Sequence, residues 1–331
     1  MSTHSPASSP RSIGRFIAAM AATFSIPSHA HVRWFVPDGT NPDVTLPWDT
    51  LSLMITLITL GLFAFAATLS YAPVLPRAIK TGLDRPVVST HPWLWYILVL
   101  VINTYLAINL LQGEFLAPNL YLSPQQAIYG VIIQASAIVL MAFSVSLTGV
   151  AIAGTALALV IFFPFFIALD YVFEFFFVGL ALICIGPSLN HNDTRLCQGL
   201  GVDKTQWRTL AIHLLRIGLG LQLLELGLHN KLMLPGMALA FIEQHPYYNF
   251  FPLLNLPQVS HLHFVFFVGI SEALIGLLLI FHFANRIIYA LLLTIFMITL
   301  WLSGTDELIG HLPLITVVVI LFIESGKENV R

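Results

Sequence analysis

The sequence predicts an all-α integral membrane protein with about nine transmembrane helices. Of its 331 residues, 57% are hydrophobic and 9% are charged, and the mean hydropathy is +0.87. Soluble domains carry about 25% charged residues, and several runs here reach the roughly 20 apolar residues that cross a bilayer. The net charge of -2 gives no basic surface for nucleic acid. Two cysteines without a C-x-x-C spacing argue against a thiol relay or a cysteine-rich zinc site.

Residues 1–30 are predicted to be a signal peptide. Two arginines precede a short apolar run over 16–26, and a small-x-small cleavage pattern ends at Ala30. The run is too short to cross a bilayer comfortably, and an uncleaved anchor is the alternative. Cleavage after Ala30 would make His31 the first residue of the mature chain. Its amine and imidazole could then chelate one metal ion, an arrangement that copper favours.

Nine apolar segments follow a periplasmic N-terminal segment over 31–47, of which residues 37–47 are exposed and rich in Pro, Asp and Asn. With the mature N-terminus outside, nearly all the basic residues of the mature chain fall on the inner side, as the positive-inside rule requires. We therefore expect a bacterial-type inner membrane, a periplasmic N-terminus and a cytoplasmic C-terminus. The predicted spans are 48–72, 92–112, 126–147, 150–169, 171–187, 208–232, 261–282, 286–303 and 309–324.

An internal repeat follows the first span. Residues 102–120 resemble 216–237 in layout, since each is an apolar helix with polar positions near its outer end, followed by a proline. After each come an outer connection, an apolar span, a short inner turn and two more spans. We therefore predict two tandem four-helix units in the same orientation, preceded by one extra helix. The predicted division is a first helix and inner loop over 48–90, a first unit over 91–188, a cytoplasmic linker over 189–206, a second unit over 207–325 and a cytoplasmic tail over 326–331.

The last two spans of each unit join through a segment with ionisable side chains. In the first unit Asp170 lies in the predicted outer turn, and Glu174 follows four residues later. In the second unit Glu307 and His311 have the same spacing. The pattern is a further likeness between the two units.

The second unit contains two helices with glycines and polar side chains. Residues 216–232 read R-I-G-L-G-L-Q-L-L-E-L-G-L-H-N-K-L, and residues 267–279 contain Gly269, Glu272 and Gly276. In these features the unit resembles the DoxX-like family of four-helix membrane proteins, and the first unit would be a degenerate copy. The resemblance implies a membrane component of redox systems, some members being linked to quinone reduction. This chain departs from the family in its extra helix, its duplicated body and its lack of a cysteine pair.

Glu225 and His229 are the first candidate functional pair. Four residues apart on a helix, they share one face. Carboxylates and imidazoles are costly in hydrocarbon, so they usually face a bundle interior or a watery cavity and mark function. The alternative is a pair that snorkels to water at the end of a span. The predicted topology places both residues at the outer mouth of the sixth span.

Histidines that the topology places near one outer level form the candidate metal site. Copper is favoured over zinc, and both accept imidazole ligands. His261 and His263 would diverge by about 200° on a helix, so they could share a metal only if this stretch is extended. Each histidine alone could instead cap a helix or lie at the headgroup boundary. The predicted ligands are first His229, His261, His263 and His311, and next His31 and Glu225.

Glu272 lies about eleven residues into the seventh span, near the middle of the bilayer. A carboxyl group there is either protonated or paired. It could act with Glu225 in a proton relay, or it could be a hydrogen-bonded structural group. Arg216 is a candidate partner at a shallower depth. Because the first unit carries neutral amides where the second carries charge, we expect the second unit to be the working half.

Three functions fit these observations. The first is binding of a transition metal at the periplasmic face, for metal handling or membrane redox chemistry. The second is a quinone-linked, DoxX-like oxidoreductase subunit without its own metal, in which Glu272 and Glu225 manage protons. The third is a non-enzymatic assembly subunit of a membrane complex. The expected partners are the lipid bilayer and other membrane or periplasmic proteins of redox or metal-handling systems, and no nucleic acid.

Overall fold

The computed structural model describes residues 43–68, 92–118, 120–198, 201, 203–283, 286–303 and 305–328. The predicted signal peptide and His31 lie outside these residues. Every regular element in the described ranges is helical, which confirms the all-α prediction. In chain order the helices are α1 Thr50–Thr68, α2 Trp93–Gln112, α3 Ala127–Phe143, α4 Val145–Phe162, α5 Phe165–Leu189, α6 His191–Cys197, α7 Lys204–Gly227, α8 Gly236–Gln244, α9 His261–Ile280, α10 Arg286–Ser303 and α11 Thr305–Glu328.

Among the described residues, six helices are long and apolar enough to cross a membrane. They are α1, α2, α4, α5, α7 with its continuation, and α9. The other three predicted spans correspond to α3, α10 and α11, whose apolar stretches are shorter. A multi-pass membrane protein is therefore supported, while the full set of nine crossings stays a prediction.

The predicted boundary between the fourth and fifth spans is misplaced, and a proline explains why. Phe163 is extended (φ -120°, ψ 155°), α4 ends before it, and α5 begins directly after Pro164. A residue that precedes proline avoids the helical conformation, because the proline ring clashes with its backbone. The break therefore falls earlier than the predicted turn at 169–171. As a result, Asp170 and Glu174 are buried inside α5 instead of lying in an outer turn.

The two predicted units pack against each other in a reciprocal way. The last helix of the first unit, α5, packs against α7, the first helix of the second. The last helix of the second unit, α11, packs against α2, the first helix of the first. One hydrophobic core contains residues of both units. The α5–α7 contact brings residues of the two units together.

Contacts between helix ends show which ends lie together. Asp49, before α1, contacts His263 at the start of α9. We call this the outer end, after the side on which the sequence places it. At the opposite, inner end, Arg208 of α7 forms an ion pair with Glu324 of α11 at 2.8 Å. The helix ends therefore alternate between the two ends of the bundle in the order that the sequence predicts for the loops. Which end of the bundle faces which side of the membrane stays a prediction.

Glycines let α7 and α9 approach at backbone distance. A Cβ atom added to Gly220 would lie 2.8 Å from the carbonyl oxygen of Gly276, and one added to Gly227 would lie 2.7 Å from that of Gly269. Small residues at such crossings are typical of helix pairs in membranes. The crossing fixes the outer half of α7, on which Glu225 and His229 lie.

Candidate functional site

Three buried ionisable residues meet where α5 faces the end of α7. Asp170, Glu225 and His229 are 2%, 7% and 7% exposed. One potential ligand atom from each lies within 4.8 Å of the other two. In the part of the chain that the structure describes, this is the one group of three or more His, Cys, Asp or Glu residues with such a geometry. We call it the acid–histidine cluster.

Direct contacts hold the cluster together. His229 Nδ1 lies 3.3 Å from Glu225 Oε1, one helical turn away. The side-chain amide of Asn230 donates to Asp170 Oδ1 at 2.8 Å. The predicted facing of Glu225 and His229 is thus present, and Asn230 ties the pair to a carboxylate on another helix.

Gln222 fixes the position of α5 along the axis of α7. Its amide nitrogen donates to the backbone carbonyl of Asp170, and its amide oxygen accepts from the backbone N–H of Glu174 at 3.2 Å. The carbonyl of Asp170 and the N–H of Glu174 are four residues apart, and a regular α-helix joins such a pair by a hydrogen bond. A glutamine can reach both because its amide is a donor and an acceptor. The buried bridge holds Asp170 level with Glu225.

His229 lies in a π-helical segment, Leu228–Met233, that continues α7. The backbone N–H of Leu234 donates to the carbonyl of His229 at 2.9 Å, a bond five residues long. Pro235 follows and has no N–H to donate, so the helix cannot continue. Widened turns of this kind often lie at functional sites. Here the wide turn carries His229, Asn230 and Lys231 together.

Phe166 covers one face of the His229 ring. The ring centroids are 4.6 Å apart and the planes differ by 15°. Phe166 itself is 55% exposed, on a surface whose composition suits lipid. The stack fixes the plane of the imidazole, so its Nδ1 edge stays directed at Glu225.

The other predicted histidines contact different groups. His263 Nε2 lies 3.1 Å from Asp49 Oδ2, and His261 Nδ1 lies 3.4 Å from the amide nitrogen of Asn249. Because α9 begins at His261, both histidines lie on a helix and diverge, so the extended geometry needed for a shared metal is absent. His311 packs against Phe296, with ring centroids 5.2 Å apart. Within the described residues, none of these three histidines belongs to the acid–histidine cluster.

Asp49 caps α1 at the outer end. Its carboxylate accepts from the backbone N–H of Ser52 at 2.8 Å and contacts His263. These two interactions, the backbone hydrogen bond first, lower the pKa of Asp49 to about 2. The pair therefore joins the start of α1 to the start of α9, away from the cluster.

Glu272 is paired, although not with the expected residue. Its Oε2 lies 2.7 Å from Lys231 Nζ, and the two side chains are 26% and 13% exposed. Arg216 instead donates to the carbonyl of Leu279 at 2.6 Å, near the end of α9. Side chains lean toward the N-terminus of their helix, so Lys231 at the outer end of α7 reaches inward to Glu272. Glu272 is therefore paired with Lys231 and not with the candidate partner Arg216.

Sequence reasoning placed Asp170 in a turn and expected the working residues in the second unit. The structure shows that Asp170, from the first unit, completes the cluster with Glu225 and His229. Pro164 was the signal that could have moved Asp170 into a helix. No local pattern indicates that α5 faces α7, because that contact joins segments distant in sequence.

Chemically, the cluster offers two carboxylates and one imidazole in a buried site. Such a group can bind a cation, or it can exchange protons among its members. Comparisons with protein-family models, curated proteins and solved structures found no match for this chain.

Proposed function

We propose that this chain is a multi-pass membrane protein that binds a divalent transition metal at Asp170, Glu225 and His229. The observation that carries the proposal is the meeting of three buried potential ligands from two helices within 4.8 Å. Metal handling or membrane redox chemistry at the predicted periplasmic face is the role that we infer.

Charge balance supports a divalent cation. When ionised, Asp170 and Glu225 carry two negative charges in a site that is almost closed to water. Buried charges are costly unless they are paired or bind a metal. A neutral imidazole and a divalent ion would make the group electrically neutral. The ion would therefore remove most of the cost of burying both carboxylates.

Only a small movement of the side chains separates the three ligand atoms from the spacing that they would have around one metal ion. Zinc bonds to nitrogen and oxygen are about 2.0–2.2 Å long, so ligand atoms around one ion lie about 3.5 Å apart. The separations here are at most 4.8 Å. Rotation of the two carboxylates covers the difference, and the stack with Phe166 keeps the imidazole in place.

The types of ligand in the cluster narrow the choice of metal. Mixed carboxylate and imidazole ligands suit zinc, iron(II) and manganese, while copper(II) binds most divalent sites more tightly than its neighbours in the series. Copper held by a set of outer histidines was the expectation from sequence. Because His261 and His263 contact other groups, we now place the proposed ion on one histidine and two carboxylates.

Metal content tests the proposal. Purified protein is loaded separately with zinc, manganese, iron(II) and copper(II), dialysed and measured by mass spectrometry. We expect a stoichiometric ion in the wild type, and its loss in Asp170→Asn and His229→Ala. His263→Ala is the matched control and should keep the ion. Retention in Asp170→Asn with loss in His263→Ala would favour the outer histidines, and no ion in any sample would refute the proposal.

A second candidate is a quinone-linked oxidoreductase subunit in which Glu225 and Glu272 manage protons. Its support is the π-helical segment, where His229 pairs with Glu225 and Lys231 pairs with Glu272. Phe166 stacks on His229 beside the lipid-facing surface. This candidate predicts retention of a quinone through purification and a large loss of quinone reduction in Glu272→Gln. Unchanged turnover in that variant would exclude a relay through Glu272.

A further inference from the structure

Glu174 lies one turn deeper in α5 than Asp170 and forms no ion pair with the residues that the structure describes. It is nine residues after Phe165, which is about 13 Å along the helix axis, and it is 6% exposed. Its backbone N–H donates to Gln222, while its Oε1 has no hydrogen-bond partner among the described residues. A buried carboxylate without a partner is costly in a membrane protein.

The helices packed around Glu174 supply no cation. Along its whole length, Val145–Phe162, α4 has no ionisable side chain. On α7 the neighbouring groups are the neutral Gln222 and, nearer the outer end, the acid Glu225. Arg216 is directed at the carbonyl of Leu279 on α9. On α2 the ionisable groups are Tyr105 and, at the inner end, Tyr96, whose hydroxyl donates to the carbonyl of Leu189. The short α6 also lies at the inner end.

On its own helix, Glu174 follows Asp170 and Tyr171. Negative charge on Asp170 or Glu225 would oppose ionisation of Glu174. Both burial and the surrounding charges therefore favour the neutral carboxylic acid.

Polar groups lie along α2 between Glu174 and the outer end. The Tyr105 ring packs against Phe175, the residue after Glu174, with ring centroids 6.4 Å apart. Glu114, which follows the end of α2, is 7% exposed and accepts a hydrogen bond from the hydroxyl of Tyr121 at 3.1 Å. Tyr121 is 59% exposed. Hydroxyl and carboxyl groups can both give and accept protons, so Tyr121, Glu114 and Tyr105 supply proton-transfer groups between the outer end and Glu174.

We propose that Glu174 is a proton-binding site inside the membrane, and that its proton exchanges with the outer end along Tyr105, Glu114 and Tyr121. The bound state is the neutral carboxylic acid, and release returns the proton to this line and leaves a carboxylate. The site is separate from the acid–histidine cluster and does not depend on a bound metal.

Infrared spectroscopy of the whole protein in lipid tests the binding site. A protonated carboxyl group absorbs in the C=O stretching region, apart from carboxylates and amides. We expect such a band at neutral pH, its loss in Glu174→Gln, and its persistence in His229→Ala. Glu324→Gln is the matched control, because Glu324 is buried and is paired with Arg208 as a carboxylate. A band unchanged by Glu174→Gln would overturn the proposal.

Carbodiimide labelling of the wild type gives a test that needs no variant. Dicyclohexylcarbodiimide reacts with protonated carboxyl groups in apolar surroundings, and peptide mass spectrometry locates the adduct. We expect the adduct on Glu174 and none on Glu324. Labelling of Glu324 without Glu174 would contradict the proposed site.

Hydrogen–deuterium exchange tests the route. In D2O the C=O band shifts as the proton is replaced, and its rate reports access to Glu174. Tyr105→Phe should keep the band and slow the shift several-fold. Tyr96→Phe is the matched control, because its hydroxyl donates to the carbonyl of Leu189 at the inner end. An unchanged rate in Tyr105→Phe would remove Tyr105 from the route.

Discussion

Three neighbours fix the position of His229, and only one of these contacts could be predicted from the sequence. Glu225 is one turn away on the same helix, so its spacing alone predicted the contact. Phe166 stacks on the ring and Asp170 completes the cluster, but both come from α5. Local periodicity says which residues share a face of one helix. It does not say which helix that face meets.

Histidine residues outside the cluster illustrate the same limit. The sequence placed His263 at the outer level, and it does lie at that end of the bundle. Its partner there is Asp49, more than two hundred residues earlier, at 3.1 Å. The contact depends on the packing of α1 against α9, which no residue spacing encodes.

The Asp49–His263 contact yields a pH prediction. The folded pKa of Asp49, about 2, lies below its ordinary value of 3.8. The resulting stabilisation is complete above about pH 4 and is lost as the pH falls through about 2. Thermal unfolding in detergent should show Asp49→Asn less stable than the wild type at pH 7, with a smaller difference at pH 3. A difference that is constant over this range would contradict the assignment.

At the scale of elements, a buried carboxylate caps the inner end of α4. Asp193 of α6 accepts from the backbone N–H groups of Val145 and Ser146 at 2.9 and 3.1 Å, and from the hydroxyl of Ser144. Helix starts leave such N–H groups without partners and favour negative charge. Asp193 therefore holds α6 against the start of α4.

Removal of this cap should destabilise the fold. We expect Asp193→Ala to lower the free energy of unfolding by about 2–3 kcal/mol, because it leaves buried N–H groups without partners. The control is Asp203→Ala, which removes an exposed cap at the start of α7 and should cost about 0.5–1 kcal/mol. Urea or thermal unfolding in detergent measures both, and equal effects would argue against the special role of Asp193.

The crossing of α7 and α9 predicts a second stability difference. A Cβ atom added to Gly276 would lie 2.6 Å from the carbonyl oxygen of Gly220, whereas one added to Gly154 would meet nothing within 4 Å. Gly276→Ala should therefore destabilise by about 1–3 kcal/mol through overpacking. Gly154→Ala should be neutral or slightly stabilising, since alanine favours a helix. Comparable stability of the two variants would contradict the close crossing.

Element boundaries were predictable where a strong local rule applies. Pro235 ends α7 with its π-helical continuation, and both sequence and structure place a boundary there. Pro164 separates α4 from α5 by the same kind of rule, yet the charge of Asp170 suggested a turn and the boundary was misplaced. Polar side chains inside an apolar helix resemble a loop in sequence, and only tertiary contacts, such as Gln222 on α5, account for their burial.

For the whole molecule, composition and hydropathy were enough to predict a helical membrane protein. They did not predict that α5 packs on α7 and α11 on α2. That arrangement places Asp170 beside Glu225 and His229, so the candidate site belongs to both predicted units. A repeat describes each unit separately and leaves their contact undetermined, so the sequence indicated the second unit and not the contact between the two.

The central claim is that two helices from different units contribute ligands to one metal ion. Cobalt(II) tests it most directly, because its visible absorption depends on the number and type of bound ligands. Titration of the wild-type protein should give a saturable ligand-field band with one site per chain. Asp170→Asn should weaken binding by about 10–100-fold or more and alter the band, while His263→Ala should titrate as the wild type does. Identical bands and affinities in the wild type and Asp170→Asn would contradict the account.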